Sequence, residues 1–166
     1  LNVLIKIKQN YWKIFVSNDT LIEYISEIDK ETKEFIARNS KDDLFKRSPH
    51  ELNWIIKNPW VIPAPFHDQT VPRFRFSSIV DRHRLLNLKI FNQDKNMIGF
   101  LILQIRNDQL SLPYCSYNKD YINEVCTQIG VHSLALKITS IKSYNNDIIE
   151  GLVNIKFPII FKRPSK

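Results

Sequence analysis

The chain has 166 residues, of which 43% are hydrophobic, and its 24 basic and 17 acidic residues give a net charge of +7. This length supports one hydrophobic core, and no apolar run approaches the roughly 20 residues that a membrane span needs, so we expect one soluble domain. The basic residues are scattered and the aromatic signatures of RNA-binding modules are absent, so we do not expect nucleic acid as a partner.

The cysteines, Cys115 and Cys126, form no CxxC pair and no spaced framework. This usage is typical of reduced thiols, so we expect a cytoplasmic protein. No group of cysteine, histidine and acidic residues has the spacing of a metal site, and we predict none. Because the chain opens at Leu1 and closes on a basic tail, we expect it to be a fragment of a longer protein.

The first part of the chain, residues 1–20, mixes apolar and basic types without a lasting period and is interpreted as a linker or the remnant of a preceding domain. We therefore predict a single domain over residues 21–166. The β-formers between Leu21 and Ile28 favour an edge strand, although their spacing would also suit a helix. Asp29 is a good N-cap for a first helix that runs to Arg38.

A stronger signal marks the second helix. Ser48 supplies a capping hydroxyl, Pro49 follows at the first helical position, and Glu51 stands at the third, which together form a capping box. The helix is expected to end at Asn58 or one residue earlier, because Pro59 disfavours helical geometry in the residue before it.

A proline-rich segment, Pro59–Pro72, is predicted to be a long loop. Long loops inside compact domains tend to be functional, so we predict that Trp60 and His67 contact a substrate, with a solvated histidine as the ordinary alternative. Trp54 and Phe66, together with Trp60, are expected to pack against the sheet, or else to line a pocket.

Four strands are predicted next. Arg73–Val80 alternates as a strand, and a turn leads from it into an antiparallel meander made of the strands 86–91, 97–105 and 110–117. In the turn before the third meander strand, Asn107 tolerates a positive φ.

The meander is followed by alternating helices and strands. Asn118 is expected to cap a long helix, Ile138–Tyr144 to form a strand, Asn146 to cap a short helix through Leu152, and Phe157–Lys162 to form the last strand. The long helix carries an apolar stripe at helical spacing, made by Ile122, Val125, Cys126, Ile129 and Leu136.

This order of elements resembles the GNAT superfamily of acyl-CoA N-acyltransferases over about residues 20–163. Local similarities lie at Leu52–Trp54, Pro59–Trp60, Leu112–Tyr114 and Phe157–Pro158, and they resemble the C-terminal half of two-part GNAT-like proteins of bacteria. The resemblance implies an α+β (α/β) fold in which a mixed, mostly antiparallel central sheet contains the meander and carries helices on both faces.

The resemblance also implies a function and its residues. The function would be transfer of an acyl group from acetyl-CoA or another acyl-CoA to an amine-bearing substrate. Backbone groups of Leu112, Pro113 and Tyr114 would contact the pantetheine arm and Lys119 the phosphates. Asn145 or Asn146 would fill the family's asparagine position after the next strand, and Tyr144 would be the proton donor.

The alternative is a non-catalytic GNAT-like half that supports or orients a catalytic domain. In the family, a glycine-rich turn presents backbone amides to the pyrophosphate at the start of the long helix. The matching segment here, Tyr117–Ile122, contains no glycine, and Asp120 brings a negative charge into it. In that case the partner would be an N-terminal GNAT-like half of the same parent chain.

Overall fold

The computed structural model describes residues 19–39, 47–58, 61–63 and 78–158. Seven strands and four helices are present in this part of the chain. The strands are β1 Leu21–Tyr24, β2 Val61–Pro63, β3 Ser78–Val80, β4 His83–Phe91, β5 Met97–Arg106, β6 Gln109–Tyr117 and β7 Ser140–Lys142, and the helices are α1 Lys30–Asn39, α2 Pro49–Lys57, α3 Ile122–Ala135 and α4 Asn146–Asn154.

The central sheet has five strands in the order β1-β4-β5-β6-β7. The first three pairings are antiparallel, and β6 pairs with β7 in parallel. The predicted meander is therefore confirmed, and the fold is the mixed, mostly antiparallel α+β arrangement expected from the sequence. A separate parallel pair joins β2 to β3, so the expectation of an irregular segment from residue 59 to residue 72 is wrong at Val61–Pro63.

Helices α3 and α4 cover one face of the sheet. Val125, Cys126 and Ile129 of α3 are buried together with Ile148 and Leu152 of α4, as the apolar stripe in the sequence predicts. Sheet residues such as Leu88, Ile90 and Leu101 complete this core. The two helices cross closely at Gly151, where an added Cβ would lie 2.5 Å from the Cys126 sulfur.

Helices α1 and α2 cover the opposite face, where Phe35, Ile36 and Leu52 pack on Phe100 and Ile102. Both helices start as predicted. The Asp29 carboxylate accepts hydrogen bonds from the Thr32 amide (2.9 Å) and hydroxyl (2.7 Å) at the start of α1. The start of α2 has the complete capping box, made by Ser48 and Glu51.

A buried lysine ties β1 and α1 to the sheet. Lys89 lies on the α1 face of β4 with only 3% of its side chain exposed. Its ammonium donates to Asp29 (2.5 Å) and Glu31 (2.9 Å), and Glu23 of β1 lies 3.8 Å away. Because three carboxylates surround it, this charge can be buried, and the network holds the first strand and helix in place.

A β-bulge interrupts the pairing of β5 with β6. Ile102 faces Tyr114 and Gln104 faces Ser111, so that Leu103 stands opposite two residues, Leu112 and Pro113. The hairpin turn between these strands has Asn107 at φ 57°, as its predicted tolerance of positive φ allows.

Several predicted boundaries change. The turn before the meander is short because β4 begins at His83, and the strand predicted over Ile138–Tyr144 is reduced to Ser140–Lys142. The N-cap of α4 is Asn145 rather than Asn146, because the Asn145 side chain accepts from the Ile148 amide at 3.2 Å. Predictions for residues 1–18, 73–77 and 159–162 lie outside the described residues.

Candidate functional site

The candidate site lies between β6 and β7. These strands pair at only three positions, from Gln109 with Ser140 to Ser111 with Lys142. Strand β6 continues to Tyr117, whereas β7 ends at Lys142, and the described residues of the two strands form no further pair. The second half of β6 is therefore not paired with β7, and the region between it and the segment that leads into α4 is called the slot below.

Side chains cross the slot on the side of α4. The Tyr117 hydroxyl lies 3.1 Å from Asn145 Oδ1 and 3.1 Å from Asp147 Oδ2, and both oxygens accept. The Asn145 amide nitrogen in turn lies 3.7 Å from the Cys115 sulfur. Residues from both walls of the slot are therefore bonded to one another across it.

Tyr117 is held as a neutral phenol. Burial is the main cause that raises the pKa of its hydroxyl well above the usual value, and the nearby Asp147 carboxylate raises it further, although the Asn145 hydrogen bond acts in the opposite direction. At neutral pH the group therefore keeps its proton and acts as a donor. Sequence reasoning missed Tyr117, since its partners lie 28 and 30 residues further along the chain.

The turn at the start of α3 uses its own amides. The Asn118 side chain accepts from the Asp120 amide at 3.1 Å, the Tyr121 amide donates to the Asn118 carbonyl at 3.0 Å, and the Ile122 amide donates to the Lys119 carbonyl. These three donors are the kind of group that binds an anion at a helix N-terminus. Here they are already occupied within the turn.

A cavity of about 240 Å³ adjoins this turn and the slot. Of the residues that the structure describes, Asp147 and Glu150 line this cavity together with one basic residue, Lys119. Tyr117 forms part of the same wall. This balance of charge opposes the binding of a pyrophosphate, because two negative groups face one positive group.

The predicted cofactor residues take separate positions. Leu112 and Pro113 form the bulge in β6, while the Tyr114 side chain is buried on the opposite face, 6.2 Å from the Phe100 ring between centroids. Lys119 lines the cavity and Asn145 lies in the slot. The structure thus brings Lys119 and Asn145 near Tyr117. The predicted role of Leu112, Pro113 and Tyr114 concerns their backbone groups and stays a prediction.

The predicted proton donor lies on the surface. Tyr144 is 75% exposed, and its ring stacks with the Lys142 ammonium at 5.2 Å from the ring centroid. Trp60 and His67, predicted to contact a substrate, lie outside the described residues. Trp54, expected to pack against the sheet or else to line a pocket, is 48% exposed and lines a cavity of about 400 Å³.

The contacts of Cys115, Cys126 and His132 are typical of residues with a structural role. Neither Cys115 nor Cys126 forms a disulfide, and burial raises the pKa of Cys126 to about 12. His132 Nδ1 donates to the Gln128 carbonyl at 2.7 Å, so that its Nε2 accepts from the Tyr24 hydroxyl at 2.9 Å.

Two features are absent from the described residues. Within residues 19–39, 47–58, 61–63 and 78–158, no group of three or more histidine, cysteine and acidic side chains could hold a metal ion. In the same ranges, no helix combines the length and the apolar character needed to cross a membrane.

Comparisons with known proteins give little sequence similarity. No family model and no curated protein matches the chain. Among solved structures, the chain is similar to the crystal structure of the ribosomal-protein-S18-alanine N-acetyltransferase from Escherichia coli, with 12% identity and a TM-score of 0.34. The match covers 68% of this chain and 61% of that one, so it spans less than two thirds of the neighbour.

Proposed function

We propose that this chain is a non-catalytic, GNAT-like domain that supports or orients a catalytic domain. It does not itself use acyl-CoA. The observation that carries the proposal is the turn at the start of α3, whose amides of Asp120, Tyr121 and Ile122 donate to groups of the turn itself. An anion bound there would have to break these hydrogen bonds first.

The charges around the turn support the same conclusion. Asp120 lies within the turn, and Asp147 and Glu150 line the adjoining cavity. Within the described part of the chain, a cofactor that carries a pyrophosphate would meet Asp120, Asp147 and Glu150 against one basic residue, Lys119. A charge-assisted contact to Lys119 alone does not offset this repulsion.

The supporting role implies a partner. We infer that acyl-CoA and the amine acceptor bind to an N-terminal GNAT-like half of the same parent polypeptide, in the cytoplasm. That half would carry an intact glycine-rich turn, and this domain would hold it or its acceptor in position.

Isothermal titration calorimetry with acetyl-CoA tests the proposal. The chain should give no saturable heat at cofactor concentrations up to about 1 mM, which corresponds to a binding free energy weaker than about −4 kcal/mol. Saturable binding with a lower Kd, competed by CoA, would overturn the supporting role. A chain that acylates an amine in the absence of any other domain would overturn it as well.

One observation favours a second candidate, an active N-acyltransferase. Tyr117 is a protonated phenol beside the slot. If an amine attacked the thioester carbon of an acyl-CoA held there, the C–N bond would form, the C–S bond would break, and the leaving thiolate would take its proton from Tyr117. The proton that the amine nitrogen loses as it becomes an amide would pass through water to the Tyr117 phenolate and restore the phenol.

Substitutions of Tyr117 and Tyr144 distinguish two forms of this second candidate, which differ in the residue that acts as the proton donor. CoA release from acetyl-CoA, measured with a set of primary amines, should fall about 100-fold in Tyr117→Phe if Tyr117 is the proton donor. A fall in Tyr144→Phe instead would assign that role to Tyr144. The absence of CoA release by the unaltered chain eliminates this candidate.

A further inference from the structure

We propose that the cavity beside Trp54 on α2 is a docking site for an acidic protein segment that carries one aromatic or large aliphatic side chain. That side chain would enter the cavity, and a carboxylate next to it in the segment would pair with Arg47. The inference rests on the proposed function, because a domain that supports a catalytic half needs a surface that holds this half.

The cavity lies on the side of α2 that is turned away from the sheet. Leu52 of α2 is fully buried and packs in the same cluster as Phe100 and Ile102 of the sheet. Trp54 follows Leu52 by two residues, which places the two side chains about 200° apart around the helix. The largest apolar side chain of α2 is therefore directed away from the core.

Trp54 is more than an isolated surface tryptophan, because it forms part of the wall of a cavity. The cavity has a volume of about 400 Å³, and its lining includes Arg47, His50, Glu51, Trp54 and Ile55. Sites that take small organic groups have volumes of about 300–1,000 Å³, so one aromatic or large aliphatic side chain fits here. Trp54 and Ile55 supply the apolar contact surface, and tryptophan is among the residues that contribute most to the binding energy of protein interfaces.

The polar side chains of the lining favour an acidic ligand. Glu51 is committed to the start of the helix, since its Oε2 accepts from the Ser48 amide at 2.6 Å and from the Ser48 hydroxyl at 2.7 Å. Within the described part of the chain, Arg47 and His50 form no hydrogen bond and no ion pair. A carboxylate of a partner can therefore pair with Arg47 without displacing an existing bond.

The position on the outside of a helix suits a protein segment better than an enclosed small-molecule site. Because Trp54 stays half-exposed in the cavity wall, a side chain can enter while the backbone of its segment continues through solvent on both sides. An apolar anchor with a charged pair at its rim is also the usual arrangement of a protein interface. When both halves belong to one polypeptide, a weak contact is enough, since the connection gives the segment a millimolar effective concentration.

The first experiment measures the binding of three blocked synthetic pentapeptides by saturation-transfer difference NMR, observed on the peptide protons. The acidic peptide has a phenylalanine between two pairs of glutamates, the second has alanine in place of phenylalanine, and the third has lysines in place of the glutamates. The acidic peptide should bind with a Kd of about 1 mM, and the other two about ten-fold or more weakly. Equal binding of the alanine peptide would show that charge alone attracts the ligand, and equal binding of the lysine peptide would show that charge has no part in it. Either result would overturn the proposal.

Phenylacetate serves as a fourth probe, because it offers a ring and a carboxylate without a peptide backbone. It should bind more weakly than the acidic peptide. Binding of phenylacetate with the same or higher affinity would make the cavity a small-molecule site and would overturn docking of a protein segment.

The second experiment locates the acidic peptide in the cavity. Trp54→Ala should lower the affinity for this peptide about ten-fold or more, because the anchor loses its main contact surface. Arg47→Gln should lower it about three-fold, because an exposed charge pair is lost. Lys57→Gln is the matched control, since Lys57 is an exposed cation of the same helix that pairs with Glu27 at 3.0 Å and is not among the described residues of the lining. It should bind like the unaltered chain.

Urea unfolding checks that the variants are folded. Unchanged affinity in folded Trp54→Ala would overturn the docking site, and if that variant does not fold, unchanged affinity in Arg47→Gln has the same consequence.

The docking site and the supporting role fail in distinguishable ways. If the unaltered chain binds neither acetyl-CoA nor the acidic peptide, the docking site alone is refuted. If it binds acetyl-CoA and also binds the acidic peptide in a manner that depends on Trp54, the docking site stands and the supporting role is refuted.

Discussion

Replacement of Asp29 by asparagine should lower the free energy of unfolding by about 1.5 kcal/mol at pH 7. Asparagine has nearly the same shape and is also a good N-cap, so the start of α1 is retained. What is lost is the charge that faces the buried ammonium of Lys89 at 2.5 Å. Lys89 keeps Glu31 and Glu23, so its charge is not left without a partner.

The magnitude follows from the pKa of Asp29. Burial by itself would raise this pKa, but hydrogen bonds from Lys89 and Thr32 outweigh burial and lower it from 3.8 to about 2. At about 1.4 kcal/mol per pKa unit, this shift corresponds to at most about 2.5 kcal/mol. Because 45% of the Asp29 side chain is exposed, solvent screens part of that energy, and we expect about 1.5 kcal/mol.

The sign of the pH dependence is fixed by the direction of the shift. A folded-state pKa below the unfolded value means that the charge stabilises the fold above about pH 4 and that this contribution is lost as the pH falls towards 2. Urea unfolding of both forms, followed by circular dichroism, should therefore give a difference that is constant from pH 5 to 7 and shrinks below pH 4.

Glu34→Gln is the matched control, because its ion pair with Lys30 is exposed and 3.9 Å long. It should change stability by less than about 0.5 kcal/mol. The reasoning is refuted if Asp29→Asn is as stable as the unaltered chain at pH 7, or if the difference between them is undiminished near pH 2.

Three further predictions concern the helices and the thiols. Gly151→Ala should lower the free energy of unfolding by about 1–3 kcal/mol in thermal or urea unfolding, because the new methyl would meet the Cys126 sulfur at 2.5 Å. The additional substitution Cys126→Ala should restore part of this loss. No recovery in the double variant would contradict the stated contact. Ser48→Ala should cost about 1 kcal/mol, since the Glu51 amide loses its acceptor; an unchanged urea midpoint would show that the cap contributes nothing. Iodoacetamide at pH 8 should modify Cys115 in the folded chain but not Cys126, whose pKa is raised to about 12 by burial, and modification of Cys126 before unfolding would contradict that assignment.

Local signals in the sequence predict the starts of the first two helices because the capping groups and their partners lie three residues apart. Ser48 with Glu51 and Asp29 with Thr32 are of this kind. The N-cap of α4 was predicted one residue too late, at Asn146 instead of Asn145. Two adjacent asparagines are equally good caps, and only the tertiary packing of α4 selects one of them.

The environment of Lys89 could not be predicted in this way. Alternation along β4 places the Lys89 side chain on the other face of the sheet from Leu88 and Ile90. That position would ordinarily indicate a face exposed to solvent. Its partners Asp29 and Glu31 lie 60 and 58 residues away in sequence, and only the placement of α1 on that face buries the lysine among them.

The candidate site was likewise only partly predictable from the sequence. The absence of glycine in the turn before α3 could be read directly from the sequence. The bonds of Tyr117 to Asn145 and Asp147 depend on how far β6 extends past the end of β7. No residue pattern within either segment carries that information.

The bulge at Leu112 and Pro113 decides which side chains face the slot. Successive residues of a strand point to opposite faces, so one extra residue reverses the phase of every position after it. Before the bulge the even-numbered Leu110 faces α3, whereas beyond it the odd-numbered Cys115 and Tyr117 do. Tyr114 points to the α1 face instead.

Without the bulge, regular alternation through Pro113 would turn Cys115 and Tyr117 to the α1 face and leave Asn145 without Tyr117. Deletion of Pro113 would instead keep both side chains on the α3 face, because Leu103 would then stand opposite Leu112 alone. The extra residue in the middle of β6 therefore determines which side chains reach the site at its end.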